Sequence, residues 1–367
     1  MDLRELAPAH VRDIAPYVPG KPISETAREL GLAERDILKM ASNENPLGSS
    51  PRALEAIRGA LGELAYYPDG GGYDLKAAIS RKLGVRPENI LLGNGSNDVL
   101  ELSARTFLTS ADSAVYSRHA FLVYPLVVQA IGARHVEVPA RKYGHDLAAM
   151  AAAIRPDTRL VFLANPNNPT GTFVPWAEVR AFIERIRGDV LVVVDEAYGE
   201  YLPEERRSPV TGWLAQFPNL IISRTLSKAY GLAGLRVGFG LGHPDVIELM
   251  NRLRQPFNVN HLAMVAACAA LDDEEFIARS REVNAAGLVQ LSRGFERLGL
   301  EYIPSCANFI TVKVGDAARI YASLLRDGVI VRPVANYGMP EHLRVTVGLA
   351  AQNERFLVGL ARALKSD

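Results

Sequence analysis

Lys228 sits in the stretch SRTLSKAYGLAGLRVGF, residues 223–239, with hydroxyls before it and glycines and an arginine after it. A lysine attacks a carbonyl only when deprotonated, and burial or a neighbouring cation lowers its pKa toward that form. Thr225 and Ser227 offer hydroxyls, and Arg236 offers a planar fork for phosphate. The glycines let backbone pass close by. An isolated lysine is by default a surface charge, and this one has company that a surface charge does not need.

Three other segments carry comparable chemistry. DEAY, from Asp195 to Tyr198, follows a valine-rich apolar run, and a carboxylate at the end of a buried strand is expensive unless paired. A structural ion pair would serve, and so would a pyridinium nitrogen. The seven histidines show no HxxxH or comparable spacing, which disfavours a metal. NPNNPTG, from Asn165 to Gly171, is at least a rigid turn, and Asn168 can donate to a ligand oxygen. GNGSND ends in Ser96, Asn97 and Asp98 ahead of the VLEL pattern, so it reads as a helix start able to favour a phosphate. GxGxxG fails at Asp98 and no GxxxxGK[ST] occurs, which counts against dinucleotide binding and nucleotide hydrolysis. A phosphate cradle, an acid for a ring nitrogen, donors for a ring oxygen and a lysine for an aldehyde together suit pyridoxal 5′-phosphate.

These residues need a frame. From about residue 51, strand-like and helix-like segments alternate, predicting βαβ units and a mostly parallel α/β sheet. The buried-strand candidates are 90–92, 160–163, 190–194 and 220–222, and each ends in one of the four polar segments. Ligands of open parallel sheets bind at the carboxyl ends of strands, so the four segments converge on one crevice. Residues 1–45 read as an irregular arm, 46–264 as a large domain and 265–367 as a smaller α+β domain. In the last, a helical stretch 261–299 leads to NFITVKV, a helical segment 316–326, VIVRP and LRVTVGL.

Bulk composition narrows the function classes. The 367 residues are 48% hydrophobic, enough for a large core. Lys plus Arg equal Asp plus Glu at 41 each, which leaves no electrostatic footprint for nucleic acid or anionic membrane. Two cysteines are too few for a disulfide framework. The charged start MDLRELAPAH lacks a signal-peptide core and no apolar stretch is long enough to span a bilayer, so the expectation is a cytoplasmic protein.

TLSKAYGLAGLRVGF resembles the lysine motif of the class-II aminotransferases, enzymes of the fold-type-I pyridoxal-phosphate fold. APYVPGKP around Tyr17, ASNENPLGSSP from Ala41, YYPDGGGYDLKAAI from Tyr66 and LRVTVG from Leu343 are similar to the histidinol-phosphate aminotransferase group. The motifs occur in the family's order along nearly the whole chain. The resemblance implies that Lys228 carries the cofactor and moves the proton, and that Asp195 holds the pyridine nitrogen protonated. Asn168 and Tyr198 would bond the ring 3′-oxygen, while Ser96, Asn97, Thr225, Ser227 and Arg236 would hold the phosphate. Phe121 would stack on the ring where some relatives have tyrosine. A homodimer is implied, with Tyr67 reaching the neighbouring subunit's cofactor phosphate. Tyr17, Arg332 and Arg344 would take the anionic groups of histidinol phosphate, glutamate and 2-oxoglutarate. A phenylalanine or tyrosine aminotransferase, a threonine-phosphate decarboxylase and a non-catalytic cofactor-binding module remain the alternatives. The regulators of that last kind carry a DNA-binding domain for which the first 45 residues leave no room.

Overall fold

The computed structural model describes residues 2–16 and 20–365, so Tyr17 lies outside the described residues. Strand β1 (Leu38–Lys39) precedes the strands of the large sheet, which are β2 (Ile90–Gly93), β3 (Ser113–Ser117), β4 (Arg134–Val138), β5 (Thr158–Ala164), β6 (Leu191–Asp195), β7 (Leu220–Thr225) and β8 (Gly238–Gly242). They lie in the order β2-β8-β7-β6-β5-β3-β4. β8 runs antiparallel to both neighbours, and every other pairing is parallel. Four of these strands contain the apolar runs of the sequence; β3, β4 and β8 carry no comparable run.

Alternation along β5, β6 and β7 splits the core into two layers. Val161, Val192, Val194 and Ile222 pack with Leu75, Ile79, Phe182 and Ala263 on one face. Phe162, Val193 and Ile221 pack with Leu100, Tyr124, Val128 and Met250 on the other. Both faces are thus covered by helices, as a parallel sheet requires. Two-residue periodicity puts Asp195 on the face of Val193, toward Tyr124.

The smaller unit holds β9 (Tyr302–Ile303), β10 (Phe309–Lys313), β11 (Val329–Ile330), β12 (Arg332–Pro333) and β13 (His342–Thr346). An antiparallel sheet runs β12-β13-β10-β9, while β11 pairs in parallel with β1. Hence the chain's beginning is stitched to the small unit. The helix Glu274–Arg297 gives Phe276 and Ile277 to the large-sheet core and Leu291 and Phe295 to the small-sheet core. We propose that the division between the units lies along this helix instead of at residue 264, because His261–Leu271 packs on the large sheet.

Two expectations need correction. The helical stretch 261–299 is two helices, His261–Leu271 and Glu274–Arg297, because Asp273 caps the second through the Phe276 amide. The arm is not wholly irregular: it contains a helix, Ile23–Leu30, that ends at Gly31 with φ +66°. That helix buries only Thr26 and Ala27, so it leaves little apolar periodicity to read. No helix among the described residues is long and apolar enough to cross a membrane.

The loop after Lys228 is pinned by the segment before residue 50. Asn45 Nδ2 donates to the Ala229 carbonyl at 2.8 Å, and Ser49 Oγ donates to the Gly231 carbonyl at 2.7 Å. Gly231 has φ +70°, and a Cβ there would overlap the Gly48 carbonyl. Gly231→Ala therefore combines left-handed strain with a backbone clash and should destabilise the protein by about 2–4 kcal/mol. Denaturant titration checks this; an unchanged midpoint would mean that the two loops separate without loss.

Candidate active site

The carboxyl ends of the strands open on a cavity of about 270 Å³. Ser96, Asn97, Phe121, Asn168, Asp195, Tyr198, Thr225, Ser227, Lys228, Arg236, Arg332 and Arg344 all line it. Tyr67 does not; it is 83% exposed and stacks on Phe257 with ring centroids 4.8 Å apart.

Lys228 Nζ donates to the Ser42 carbonyl at 3.0 Å. Burial lowers its pKa to about 8, and the Arg344 and Arg236 guanidinium groups push the same way against Glu44. The amine is thereby brought near the neutral, nucleophilic form. On the facing side, the helix Ser96–Phe107 begins at Gly95, whose φ is +82°. A Cβ on Gly95 would come within 2.5 Å of the Arg236 guanidinium, so only glycine allows that approach. Arg236 itself adopts φ +57°, sparsely populated for a side-chain-bearing residue. It donates to Ser227 Oγ at 3.2 Å and to the Ala233 carbonyl at 2.9 Å. Helix amides, two hydroxyls and a guanidinium thus form a cradle for a dianion.

Asp195 is 5% exposed and forms no ion pair among the described residues. Burial lifts its carboxyl to about 6, opposed by the Tyr124 hydroxyl and the Ala197 amide. A buried carboxylate without a cation fits a ligand that brings one. Tyr198, nearby, accepts from Asn43 Nδ2 at 2.8 Å, and burial raises its hydroxyl pKa.

The small sheet contributes the remaining cations. Arg332 and Arg344 occupy directly opposed register positions on β12 and β13 and are 7% and 6% exposed. Arg344 donates from Nη1 to Asn168 Oδ1 at 2.5 Å and from Nη2 to the Ala41 carbonyl at 2.7 Å, and its buried Nε has no hydrogen-bond partner among the described residues. Like charges placed opposite each other on adjacent strands repel, which an anionic ligand would relieve.

The sequence matches the aminotransferase class I and II family over residues 35–360. The chain belongs to the class I and II aminotransferases. Within that family it lies with the histidinol-phosphate aminotransferases. It is 60% identical over 367 residues to histidinol-phosphate aminotransferase 2 of Nitrosospira multiformis, covering 100% of this chain and 94% of that protein. It is 62% identical to histidinol-phosphate aminotransferase 1 of Thiobacillus denitrificans, covering 98% and 93%. The crystal structure of histidinol-phosphate aminotransferase from Sinorhizobium meliloti in complex with pyridoxal-5′-phosphate superposes with TM-score 0.89 at 30% identity, covering 97% of each chain. A Thermus thermophilus aspartate aminotransferase mutant, 23% identical with TM-score 0.84, shares the fold.

This aminotransferase also places residues at the cleft that the motifs did not single out. Ser42, Asn43, Glu44 and Tyr337 line the cavity, and Tyr124 reaches Asp195. ASNENP advertised asparagines and a carboxylate before a proline, but nothing in it says that a segment near residue 43 returns to strand ends 150 residues later. Tyr124 lies in the otherwise apolar VYPLVVQAI and looks like core.

The lysine yields a pH prediction. Folding lowers the Lys228 pKa from 10.5 to about 8, so between those values the unfolded chain holds more protons and stability rises with pH. Cofactor-free Lys228→Met should therefore be more stable than the cofactor-free parent near pH 7, by about 1–3 kcal/mol, with the gain shrinking toward pH 10. Urea titrations across this range read the difference; one that stays constant with pH would show that the amine is not desolvated.

Proposed function

We propose that this aminotransferase exchanges an amino group between histidinol phosphate and 2-oxoglutarate, giving imidazole acetol phosphate and glutamate, in histidine biosynthesis. Pyridoxal 5′-phosphate is the cofactor that the cleft fits. Its phosphate suits the Ser96 helix start with Asn97, Thr225, Ser227 and Arg236, and its ring nitrogen suits the unpaired Asp195. Asn168 and Tyr198 stand where donors to the ring oxygen are needed, and Phe121 offers a ring face. When bound, the cofactor supplies a carbonyl for the amino group and a ring that accepts electrons.

The protein's part is to bind, orient and move one proton. Lys228 Nζ, whose pKa burial lowers to about 8, is in its deprotonated form the base that takes a proton from the substrate carbon and returns it. Asp195 is a fixed negative charge that keeps the ring nitrogen protonated.

The observation that carries the substrate reading is the opposed pair Arg332 and Arg344. Glutamate brings two carboxylates, whereas histidinol phosphate brings a phosphate and no α-carboxylate. Two guanidinium forks accept either set, because carboxylate and phosphate both suit bidentate contact. Phenylalanine has one anion and would use one fork.

We also place the enzyme as a homodimer with shared sites. Leu61, Leu64, Tyr66, Tyr67 and Tyr73 are between 50% and 83% exposed, an apolar run that suits burial by a second copy. Tyr67 on that run would then reach the partner's cleft.

Two measurements test these readings. Arg332→Leu should lower kcat/KM for histidinol phosphate and for glutamate by roughly 100-fold and for phenylalanine by less than 10-fold. Equal losses on all three substrates would transfer the assignment to an aromatic aminotransferase. Release of carbon dioxide from threonine phosphate with no aminated cofactor formed would transfer it to a lyase. Mixing Lys228→Ala with Tyr67→Phe subunits should restore activity, since each hybrid dimer keeps one intact site. No recovery on mixing would confine Tyr67 to its own chain.

A further inference from the structure

Tyr124 is a hydroxyl-bearing residue inside an apolar layer. It lies in the helix Val123–Ile131, has no exposed surface, and stacks on Phe162 at 4.6 Å with planes 3° apart. Its hydroxyl donates to Asp195 Oδ2 at 2.9 Å, and its ring meets Phe121 edge-on at 6.0 Å. Oδ1 of the same carboxylate accepts the Ala197 amide at 3.3 Å. One buried side chain therefore touches both the ring face that Phe121 offers and the acid beneath the cleft.

We propose that Tyr124 is a positioning residue that holds Asp195 ionised and oriented, and so sets where the proton between Asp195 and the cofactor's ring nitrogen resides. The inference rests on the pyridoxal-phosphate reading above. A buried carboxylate is ionised only if donors replace the water it lost. Asp195 has two such donors. The Ala197 amide belongs to its own loop and cannot be varied by sequence. Tyr124 comes from a separate helix and can. The other charged or titratable groups around this carboxylate are Glu196 beside it in sequence and Tyr198 after the strand. Lys228 from the loop after β7 and Tyr337 and Arg344 from the small unit complete the set. Glu196 is engaged by Arg224 at 2.7 Å on the far side, so it does not replace the missing donor. A tyrosine kept only for packing would need no partner for its oxygen; phenylalanine would fill the same space with no buried hydroxyl to satisfy.

Tyr124→Phe keeps the stack on Phe162 and removes one oxygen. The holoenzyme reconstituted with cofactor labelled with ¹⁵N at the ring nitrogen gives a readout other than turnover. The parent should show the protonated-nitrogen resonance at neutral pH, and the variant should move it toward the unprotonated position. Cofactor binding should weaken roughly 10-fold, as expected when a hydrogen bond to a charged group is lost. In an Asp195→Asn background the same change should alter dissociation less than about 3-fold, because the carboxylate through which it acts is gone. 3-Fluorotyrosine at position 124 keeps the hydroxyl but makes it a stronger donor, and should shift the resonance the opposite way from phenylalanine. This second variant decides the matter if Tyr124→Phe does not fold. An unshifted resonance in a fully loaded Tyr124→Phe enzyme, with only a lowered unfolding midpoint, overturns the inference and leaves the cofactor reading intact. A parent protein that binds no pyridoxal phosphate overturns both.

Discussion

A half-buried amine set among like charges is the constraint around which this protein is organised. Lys228, Arg236, Arg332 and Arg344 face a cavity whose only carboxylates, among the described lining residues, are Asp195 and Glu44. Where water is withdrawn from such a set, as at Arg332 and Arg344, mutual repulsion is less screened. Lys228, Arg344 and Arg236 are held there by hydrogen-bond partners that carry no charge. The Ser42 carbonyl takes the lysine amine, the Ala41 carbonyl and Asn168 take Arg344, and the Ala233 carbonyl takes Arg236. Strain accompanies this frame at Arg236 and Asn43, both with positive φ. The stability that tolerates it comes from the sheet, whose strands β5 to β7 are buried almost end to end.

The same constraint explains why the site is spread over so much sequence. The arginines proposed to meet anions and the residues proposed to meet the cofactor, Asp195 and Lys228, belong to different sheets, so the cleft exists only where the two units meet. Arg344 of β13 reaches Asn168 of the large unit. Asn43, tied to the small unit through Thr346 and Asn308, reaches Tyr198 of the large unit. Two polar bridges therefore cross from the anion-binding side to the two donors assigned to the ring oxygen.

The strand ends were legible because burial on both faces leaves unbroken valine and leucine runs, and each run stops at a polar segment. β8 was illegible for an equally physical reason. It reads GFGLG, and a Cβ on Gly238 or Gly240 would approach Ser96 N or Val99 Cγ1 to within 2.8 Å. The helix that opens the phosphate cradle packs so closely on β8 that the strand gives up the branched residues by which a strand is recognised. β4 hid differently: as an edge strand, four of its five residues are not fully buried, so charges interrupt its apolar pattern. Residues that line the cleft with polar groups mostly stood out as motifs. Tyr124 did not, because a residue that acts through another residue carries no spacing signature.

The crossing bridges also bear on how one cleft accepts unlike substrates. Arg344 is already engaged through both Nη atoms, to Asn168 and Ala41, while its Nε has no hydrogen-bond partner among the described residues. Two of its five N–H donors are used in this way, so an incoming anion can take the remaining ones, Nε–H among them, or displace one of those bonds. If it displaces Asn168, the amide is released toward the cofactor; if it uses Nε, Asn168 stays committed to Arg344. Arg332 lies opposite in register, so backbone pairing of β12 with β13 sets where the two arginine side chains start. Two carboxylates can each take one arginine and a phosphate can engage both through its several oxygens, whereas a lone carboxylate on an uncharged side chain has no second anion to offer.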